Sequence, residues 1–233
     1  MAKNDVVMIT GATGNLGRAV ASAFARQGAR LCLVARKSGD LGSYKKEGAA
    51  EVLACPADLL DTAAVDAAVA KAIDRFGQID VLCNIAGGFA MGEPVHEIDA
   101  KSWAHMMELN AGSVLRLSHA VVPGMLARKS GRIVNVGAFA ALSGKAQMGA
   151  YLASKSAVIR LTESMAAELR DAGINVNCVL PSIIDTPENR QAMPKANPAK
   201  WVAPEALADV ILFLASPAAR AIHGAALPVV GLS

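Results

Sequence analysis

The chain has 233 residues, of which 53% are hydrophobic and 18% are charged, and its formal net charge is +3. This length and apolar content are enough to bury a large core in one domain. The basic residues are dispersed, which argues against nucleic-acid partners, and no apolar run approaches the ~20 residues that span a membrane.

The N-terminal residues show no signal-peptide pattern, and the cysteines and histidines show no metal-ligand spacing. Cys32, Cys83 and Cys178 lie in apolar runs, and the fourth cysteine, Cys55, forms no Cys-x-x-Cys pair with them. We therefore expect reduced, buried thiols in a cytoplasmic protein that has no metal site and no membrane partner.

Short apolar runs alternate with segments of helical periodicity along the whole chain. The predicted strands are 6–10, 30–35, 51–54, 79–84, 132–137, 175–180 and 226–230. The predicted helices include 16–27, 62–76, 103–127 and 148–171. Runs nearly continuous in Val, Ile and Leu are typical of parallel strands buried on both faces. The pattern predicts an α/β fold in which residues 1–233 form one domain, a doubly wound parallel sheet of about seven strands with helices on both faces.

The first predicted strand ends in a glycine-rich turn that opens into a helix. Glycines let the chain turn tightly there and let backbone amides approach a pyrophosphate at the positive end of the helix. A tight turn without a ligand is the alternative. The residues that we expect to hold a dinucleotide at this turn are Gly11, Thr13, Gly14, Asn15, Leu16 and Gly17.

The second predicted strand is followed by Arg36, and no acidic residue stands at its end to bind the ribose hydroxyls of NAD. The Arg36 guanidinium is placed to meet a 2′-phosphate through a charge-assisted contact. The sequence therefore favours NADP(H) over NAD(H). The alternatives are that Arg36 stacks on the adenine or points into water.

The segment 185–204 is rich in Pro and Asn and breaks the alternation of strands and helices. A long irregular segment late in an α/β domain is often a substrate lid, and we predict that role here.

Tyr151 and Lys155 are four residues apart in a predicted helix, so their side chains share one face. An ammonium beside a phenol favours the phenolate. We therefore expect Lys155 to lower the pKa of Tyr151 from its reference value of roughly 10. A phenol adjusted in this way can act as a general acid or base near neutral pH.

With these motifs in this order, the chain resembles the short-chain dehydrogenase/reductase family over its whole length. The resemblance implies a Rossmann-type fold and adenine contacts by Asp58-Leu59. The stretch Asn84-Ile85-Ala86-Gly87 resembles the family's Asn-Asn-Ala-Gly motif, which implies cofactor contacts by Asn84, Ala86 and Gly87. Asn110 matches the residue that supports a water relay to the lysine. Pro181, Ile184 and Thr186 match the segment whose Thr reaches the nicotinamide carboxamide.

The chain departs from the family pattern at two places. Its glycines are spaced Gly-x-x-Gly-x-x-Gly, so that Asn15 occupies a usual glycine position, although this spacing still serves phosphate binding. Ala138 stands where the family has its catalytic serine, thirteen residues before Tyr151. Either another group replaces that hydroxyl or the substrate needs little help there. Ser143 is a candidate substitute, with an ordinary loop or cap hydroxyl as the alternative.

The C-terminal half also resembles dihydropteridine reductases, which belong to the same family, lack the serine and reduce a quinonoid pterin ring. The resembling stretches run from Gly137 to Leu142 and from Asp185 to Arg190. Arg36 and Asn110 depart from those enzymes. Apolar side chains that could line a substrate pocket, or else belong to the core or the lid, are Phe89, Met193 and Trp201.

The resemblance implies an NAD(P)-dependent oxidoreductase that transfers a hydride between nicotinamide and a small carbonyl, alcohol or quinonoid ring substrate. In that mechanism Tyr151 is the general acid or base, Lys155 holds the nicotinamide ribose, and Asn110 completes the proton path. The rival is a dinucleotide-binding sensor or scaffold without turnover. Family members also assemble as tetramers or dimers, so we expect a homo-oligomer.

Overall fold

The computed structural model describes residues 4–37, 39 and 42–233, and seven of the short apolar runs in this part of the chain form one parallel sheet. Its strands are β1 (Val6–Thr10), β2 (Arg30–Ala35), β3 (Glu51–Pro56), β4 (Val81–Asn84), β5 (Gly131–Val136), β6 (Ile174–Pro181) and β7 (Ala226–Val229). The central strands β1 and β4 are buried at every position, as expected for a sheet covered on both faces.

Helices connect the strands. The α-helices are α1 (Asn15–Arg26), α2 (Gly42–Lys46), α3 (Thr62–Phe76), α4 (Ala100–Met107), α5 (Ser113–Arg128), α6 (Gly149–Leu169), α7 (Pro187–Ala192) and α8 (Pro204–Leu214). Several end in signals that the sequence carries. Asp61 caps α3 by accepting hydrogen bonds from the N–H groups of Ala63 and Ala64, and Gly77 ends it in the left-handed conformation.

The strand order is β3-β2-β1-β4-β5-β6-β7, and every neighbouring pair is parallel. The chain moves outward from β1 to β3 and then returns to place β4 on the other side of β1. Connections at the carboxyl ends of β1 and β4 therefore run in opposite directions and leave a crevice, which is where open α/β sheets bind ligands.

Each face of the sheet carries its own apolar layer. One layer includes Phe24 of α1 and Ile211 of α8. The other layer includes Val65 of α3, Leu117 of α5 and Ile159 of α6. The predicted doubly wound α/β architecture with about seven strands is confirmed.

The single helix predicted over 103–127 is wrong in its continuity. A π-helical turn at Glu108–Gly112 separates α4 from α5. The wider turn has side-chain support, since the Ser113 hydroxyl donates to the Leu109 carbonyl at 2.7 Å and the Asn110 side chain turns away to a neighbouring loop. Such turns often mark functional positions, and this one carries Asn110.

The segment 185–204 is less irregular than predicted, because it contains α7 and a 3₁₀ turn at Pro198–Lys200. Thr186 caps α7, and a proline occupies its first turn, where a missing N–H does no harm. A bridge between Ile184 and Val202 joins the two ends of the segment. The segment therefore projects from a closed base.

The burial predicted for Cys32, Cys83 and Cys178 is confirmed, and Cys55 is buried as well. Within residues 4–37, 39 and 42–233, no helix is long and apolar enough to cross a membrane. The same part of the chain contains no cluster of three or more His, Cys, Asp or Glu side chains that could hold a metal ion.

Candidate active site

The turn between β1 and α1 depends on glycine at two positions. Gly11 has a φ of +62°, and a Cβ there would lie 3.0 Å from the backbone of Ala86. A Cβ on Gly17 would lie 2.1 Å from the Gly11 carbonyl oxygen. Because both neighbours are backbone atoms, a side chain at either position has to displace the main chain, so the first turn of α1 packs directly on the loop.

Gly14 is the N-cap of α1 and has an extended conformation. The i→i−4 hydrogen bonds of the helix begin with the N–H of Arg18, which donates to the Gly14 carbonyl. The N–H groups of the first helical residues, Asn15 to Gly17, therefore precede the hydrogen-bonded ladder. Together with the helix dipole they form an anion-binding end that fits a pyrophosphate. Leu16 is buried, whereas Asn15 is exposed and donates to the Glu188 carboxylate of α7 at 2.8 Å.

A cavity of about 200 Å³ lies beyond this turn, at the carboxyl ends of β2 and β3. Its lining includes Thr13, Arg18, Lys37 and Tyr44. The Arg18 guanidinium donates to the Thr13 carbonyl at 2.9 Å, which fixes it over the turn. Arg36, the residue predicted to meet a 2′-phosphate, is exposed and does not belong to the cavity lining. Sequence reasoning missed Arg18 because only the folded turn brings it to the end of β2.

Asp58 and Leu59 follow β3. The exposed Asp58 carboxylate accepts a hydrogen bond from the N–H of Leu60 at 3.0 Å, which caps its own turn. Leu59 is buried, and its carbonyl accepts from the Arg116 guanidinium of α5 at 3.1 Å. These contacts fix the loop. The hydrogen bond from Leu60 uses Oδ1 of Asp58 and does not involve Oδ2.

Thr10, which sequence reasoning also missed, ties β1 to the loop after β4. Its hydroxyl accepts hydrogen bonds from the N–H groups of Ile85 at 3.0 Å and Ala86 at 3.1 Å. Next to it, the Asn84 amide donates to the Asn135 side chain of β5 at 2.8 Å. The side-chain carbonyl oxygen of Asn84, Oδ1, is buried and has no hydrogen-bond partner among the described residues. The crevice therefore has a rigid floor that includes one polar atom available to a ligand or water.

A cluster of buried polar residues lies beside the loop after β4 and consists of Asn110, Ser154 and Lys155. The Asn110 side chain accepts from the N–H of Gly88 at 2.8 Å and donates to the Ser154 hydroxyl at 2.9 Å. A Cβ on Gly87 would lie 2.8 Å from the Asn110 oxygen and 3.0 Å from the Lys155 amine. Glycine at 87 therefore admits both side chains, and three elements that are distant in sequence meet here.

Lys155 is buried at 6% exposure, and its amine donates to the Val136 carbonyl at 2.8 Å. Burial disfavours the charged amine and lowers the pKa of Lys155 to about 8. A lysine poised there exchanges protons close to neutral pH.

The prediction that Lys155 lowers the pKa of Tyr151 is wrong for this structure. Burial of the phenol dominates and raises the pKa of Tyr151 to about 12. The Lys155 amine itself is directed at the Val136 carbonyl. At neutral pH Tyr151 is therefore a protonated phenol, which is the form that donates a proton.

Phe89 packs edge-to-face on Tyr151, with ring centroids 4.9 Å apart and an interplanar angle of 75°. It is nevertheless 59% exposed, so one face of the ring lies open beside the phenol. This contact connects the loop after β4 with α6.

Ala138 is buried two residues after the end of β5, where it caps a short 3₁₀ turn, Phe139–Leu142. Its methyl group offers no hydrogen bond at the position of the family serine. Ser143 ends the same turn and has an exposed side chain. The two residues are thus at opposite ends of one short turn.

The remaining predicted residues lie after β6. Pro181 ends that strand, and the Ile184 carbonyl accepts from the Asn189 amide at 2.8 Å. The Thr186 hydroxyl accepts from the N–H of Asn189 at 3.2 Å, and it is also hydrogen-bonded to the Glu188 carboxylate. Met193 is half-buried at the end of α7. Trp201 is buried at the base of the segment, so it belongs to the packing and not to an open pocket surface.

The structure thus brings the glycine turn, the loop after β4 and the Tyr151 face of α6 to one edge of the sheet. Arg36 and Ser143 lie at the periphery of this edge and are exposed. We call the whole arrangement the candidate active site.

Comparisons with known proteins agree with this geometry. The family model described as short chain dehydrogenase matches residues 5–197. The chain is 34% identical to 2-(S)-hydroxypropyl-CoM dehydrogenase 3 of Xanthobacter autotrophicus, covering 98% of this chain and 96% of that protein. It is 33% identical to the 3-oxoacyl-[acyl-carrier-protein] reductase of Vibrio cholerae, over 98% and 97% of the two chains. A crystal structure of NAD+-bound xylitol dehydrogenase superposes with a TM-score of 0.90 at 27% identity, covering 98% of each chain.

Proposed function

Because the chain belongs to the short chain dehydrogenase family and is an NAD(P)-dependent oxidoreductase, we propose that it transfers a hydride between NADP(H) and a small carbonyl, alcohol or quinonoid ring substrate, with Tyr151 as the general acid or base. One observation carries the proposal. The polar group of Asn110, Ser154 and Lys155 lies against Gly87, at the crevice that also holds the anion-binding end of α1.

The nicotinamide supplies the hydride when it is bound. In reduction, the carbonyl carbon takes the hydride, the C=O π pair moves to oxygen, and the Tyr151 phenol gives its proton to that oxygen. The pKa of about 12 keeps the phenol protonated at neutral pH, so the proton is present on Tyr151 when the carbonyl is reduced. Lys155 would bind the nicotinamide ribose, and Asn110 holds Gly88 and Ser154 in place through its hydrogen bonds.

The preference for NADP(H) is the finer part of the proposal. Arg36 and Lys37 are exposed at the end of β2, and Arg18 and Lys37 line the cavity there. The two cations that line the cavity, with Arg36 exposed at the end of β2, suit a 2′-phosphate, whereas Ala35 ends β2 without the carboxylate that would bind a ribose diol.

The cofactor preference is tested by comparing kcat/KM for NADPH and NADH. We expect NADPH to be favoured by tenfold or more, and Arg36→Ala or Lys37→Ala to reduce that ratio. The matched control is Lys45→Ala, which removes a different exposed lysine, one that lies on α2. Equal or better use of NADH by the unmodified chain contradicts the assigned role of Arg36.

Tyr151→Phe tests the catalytic role. Loss of the proton donor should reduce kcat by about 10²–10⁴-fold, with the Kd for NADPH little changed. Unchanged NADPH oxidation across a panel of carbonyl and quinonoid substrates means that Tyr151 is not the acid. No oxidation by either protein on any substrate favours the rival function, a dinucleotide-binding sensor or scaffold.

A second candidate, reduction of quinonoid dihydropterin, is supported by the buried methyl of Ala138. A delocalised ring needs less help from a hydroxyl than a simple carbonyl does. Ala138→Ser separates the two. If simple ketones are substrates, the new donor should raise their kcat by about tenfold or more, because one donor of this kind is typically worth 10²–10³-fold. Ala67→Ser, at an exposed position of α3, is the control.

The segment 185–204 is proposed as a substrate lid, supported by its closed base and by the contact of Glu188 with Asn15 at the glycine turn.

A homo-oligomer is also proposed. Trp103 of α4 and Leu115 of α5 are 45% and 50% exposed, which suits contact with a second copy. Sedimentation of Trp103→Glu and Leu115→Glu tests this, with a shift to monomer expected.

A further inference from the structure

Two loops flank Tyr151 and are tied to one another. We call them the walls: residues 86–98, which follow β4, and residues 138–149, which follow β5. The N–H of Gly92 donates to the Gln147 carbonyl at 2.9 Å, and Glu93 forms a parallel bridge with Met148. The walls therefore form one connected surface at the mouth of the candidate active site.

The walls expose large apolar side chains. The exposed fractions are 59% for Phe89, 59% for Met91, 73% for Val95, 41% for Phe139 and 54% for Leu142. Five such residues within two loops form a local concentration, whereas single exposed apolar side chains are ordinary on protein surfaces. Concentrations of this kind mark binding sites.

This apolar surface is continuous with the candidate acid. The Phe89 ring contacts Tyr151 edge-on. Val95 packs at the start of α6, since a Cβ on Gly149 would lie 2.9 Å from its Cγ2 atom. Phe139 directly follows Ala138. The surface thus begins at the position where a substrate carbonyl would meet the Tyr151 phenol.

The walls offer little to an anionic molecule. They contain two carboxylates, Glu93 and Glu97, and one lysine, Lys145, so their charge is −2 + 1 = −1 with His96 neutral. Ala138 removes a hydroxyl donor from the place where a substrate oxygen is expected. Binding has to come mainly from apolar contact.

From these observations we infer that the substrate is an uncharged ketone, or the corresponding alcohol, built on an apolar alicyclic or aromatic ring. The inference rests on the proposed function and names its substrate class. The ring packs against Phe89 and against Phe139 or Leu142, with the carbonyl oxygen directed at the Tyr151 phenol. Apolar burial of the ring supplies the positioning that the missing serine does not.

The test uses the full chain with NADPH and four matched substrates: a monocyclic apolar ketone, its carboxylated analogue, an open-chain sugar ketone and a short 3-oxoacyl thioester. We expect kcat/KM for the apolar ring ketone to exceed the other three by at least tenfold. Preferred turnover of the sugar ketone, the thioester or the carboxylated ring overturns the inference. Quinonoid dihydropterin, added as a fifth substrate, overturns it too if it reacts best.

The outcomes distinguish this inference from the proposed function. Preferred turnover of a polar substrate that is lost in Tyr151→Phe leaves the function intact and rejects only the ring ketone. No turnover of any substrate rejects both.

Variants of the walls give a second readout. Phe89→Gln, a polar residue of related length, should raise KM for the ring ketone by about tenfold, whereas Phe89→Leu should raise it two- to threefold. Leu142→Gln should act in the same direction. Phe213→Ala removes a ring from α8 that is 43% exposed, against 59% for Phe89, and is the control, with KM unchanged. The NADPH Kd of each variant, together with its circular dichroism spectrum, checks that the fold is intact. If the wall variants change the sedimentation coefficient and leave KM unchanged, the surface is a contact between copies and the inference is wrong.

Discussion

The turn between β1 and α1 is held by contacts of the backbone with itself, whereas the region around Tyr151 is held by buried side chains. At Gly17 an added Cβ would meet a main-chain oxygen at 2.1 Å. Around Tyr151, Asn110 and Lys155 bond to carbonyls and hydroxyls of three different elements. The first arrangement tolerates no side chain at its critical positions. The second tolerates replacement, and Ala138 is an example.

This difference explains why one region is readable from sequence and the other only in part. A backbone constraint requires glycine and so leaves a pattern. A side-chain surface requires only a chemical character, which several residues can supply. The experiments below test this contrast, from the largest expected effect to the smallest.

Gly17→Ala should be the most damaging change. Its methyl group collides with the main chain of Gly11, and overpacking of this kind costs about 1–3 kcal/mol of folding free energy. The distorted turn should weaken NADPH binding by about 100-fold or more, measured by fluorescence titration. Gly144→Ala is the control, since no atom lies within 4 Å of its added Cβ. An unchanged Kd for Gly17→Ala means that the turn does not hold the cofactor.

Lys155 should make the stability of the fold depend on pH. Its pKa falls from 10.5 to about 8 on folding because the amine is buried. Between these values the unfolded chain binds more protons than the folded chain, so the free energy of unfolding rises with pH. The gain amounts to about 3 kcal/mol between pH 8 and pH 10.5.

Lys155→Met should lack this gain and should be more stable than the unmodified chain at pH 7, while losing activity. Urea unfolding at pH 7, 8, 9 and 10 measures it, with Lys101→Met as an exposed control. The series stops at pH 10 because Tyr151 titrates at higher pH. Folding raises the pKa of Tyr151 from 10.0 to about 12, so above pH 10 the folded chain binds more protons than the unfolded chain and the free energy of unfolding falls. Parallel pH profiles for the unmodified chain and Lys155→Met contradict the burial of a charged amine.

Glu188 joins the two regions, and its removal should have the smallest effect. Its carboxylate accepts from Asn15 at the start of α1 while it belongs to α7 of the segment 185–204. Loss of one exposed hydrogen bond should speed NADPH dissociation by about two- to tenfold. Stopped-flow displacement of NADPH from Glu188→Ala measures it, and Glu205→Ala is the control. An unchanged dissociation rate means that the segment closes without this contact.

Much of the fold follows from local pattern. The seven strands were predictable because short runs rich in Val, Ile and Leu are typical of parallel strands in a sheet that is covered on both faces. The π turn at Glu108–Gly112 was not predictable, since apolar periodicity continues through it and only the bonds of Asn110 to Gly88 reveal the break. In 185–204, proline and asparagine predicted an irregular chain, but Pro187 and Thr186 together start a helix.

The site shows the same limit. The spacing predicts that Tyr151 and Lys155 share one helix face. It does not predict the direction of the Tyr151 pKa, because burial of the phenol depends on packing contributed by distant segments. Arg18 and Thr10 were missed for a related reason. Their partners become neighbours only when the glycine turn meets the ends of β2 and β4.

The central claim is hydride transfer assisted by proton donation from Tyr151. The most direct measurement uses NADPH carrying deuterium at the transferable position of the nicotinamide, with a ring ketone as acceptor and mass spectrometry of the alcohol product. We predict one deuterium on the carbinol carbon with the unmodified chain and a rate at least 100-fold lower with Tyr151→Phe. A product without deuterium, or an equal rate for both proteins, would contradict the account.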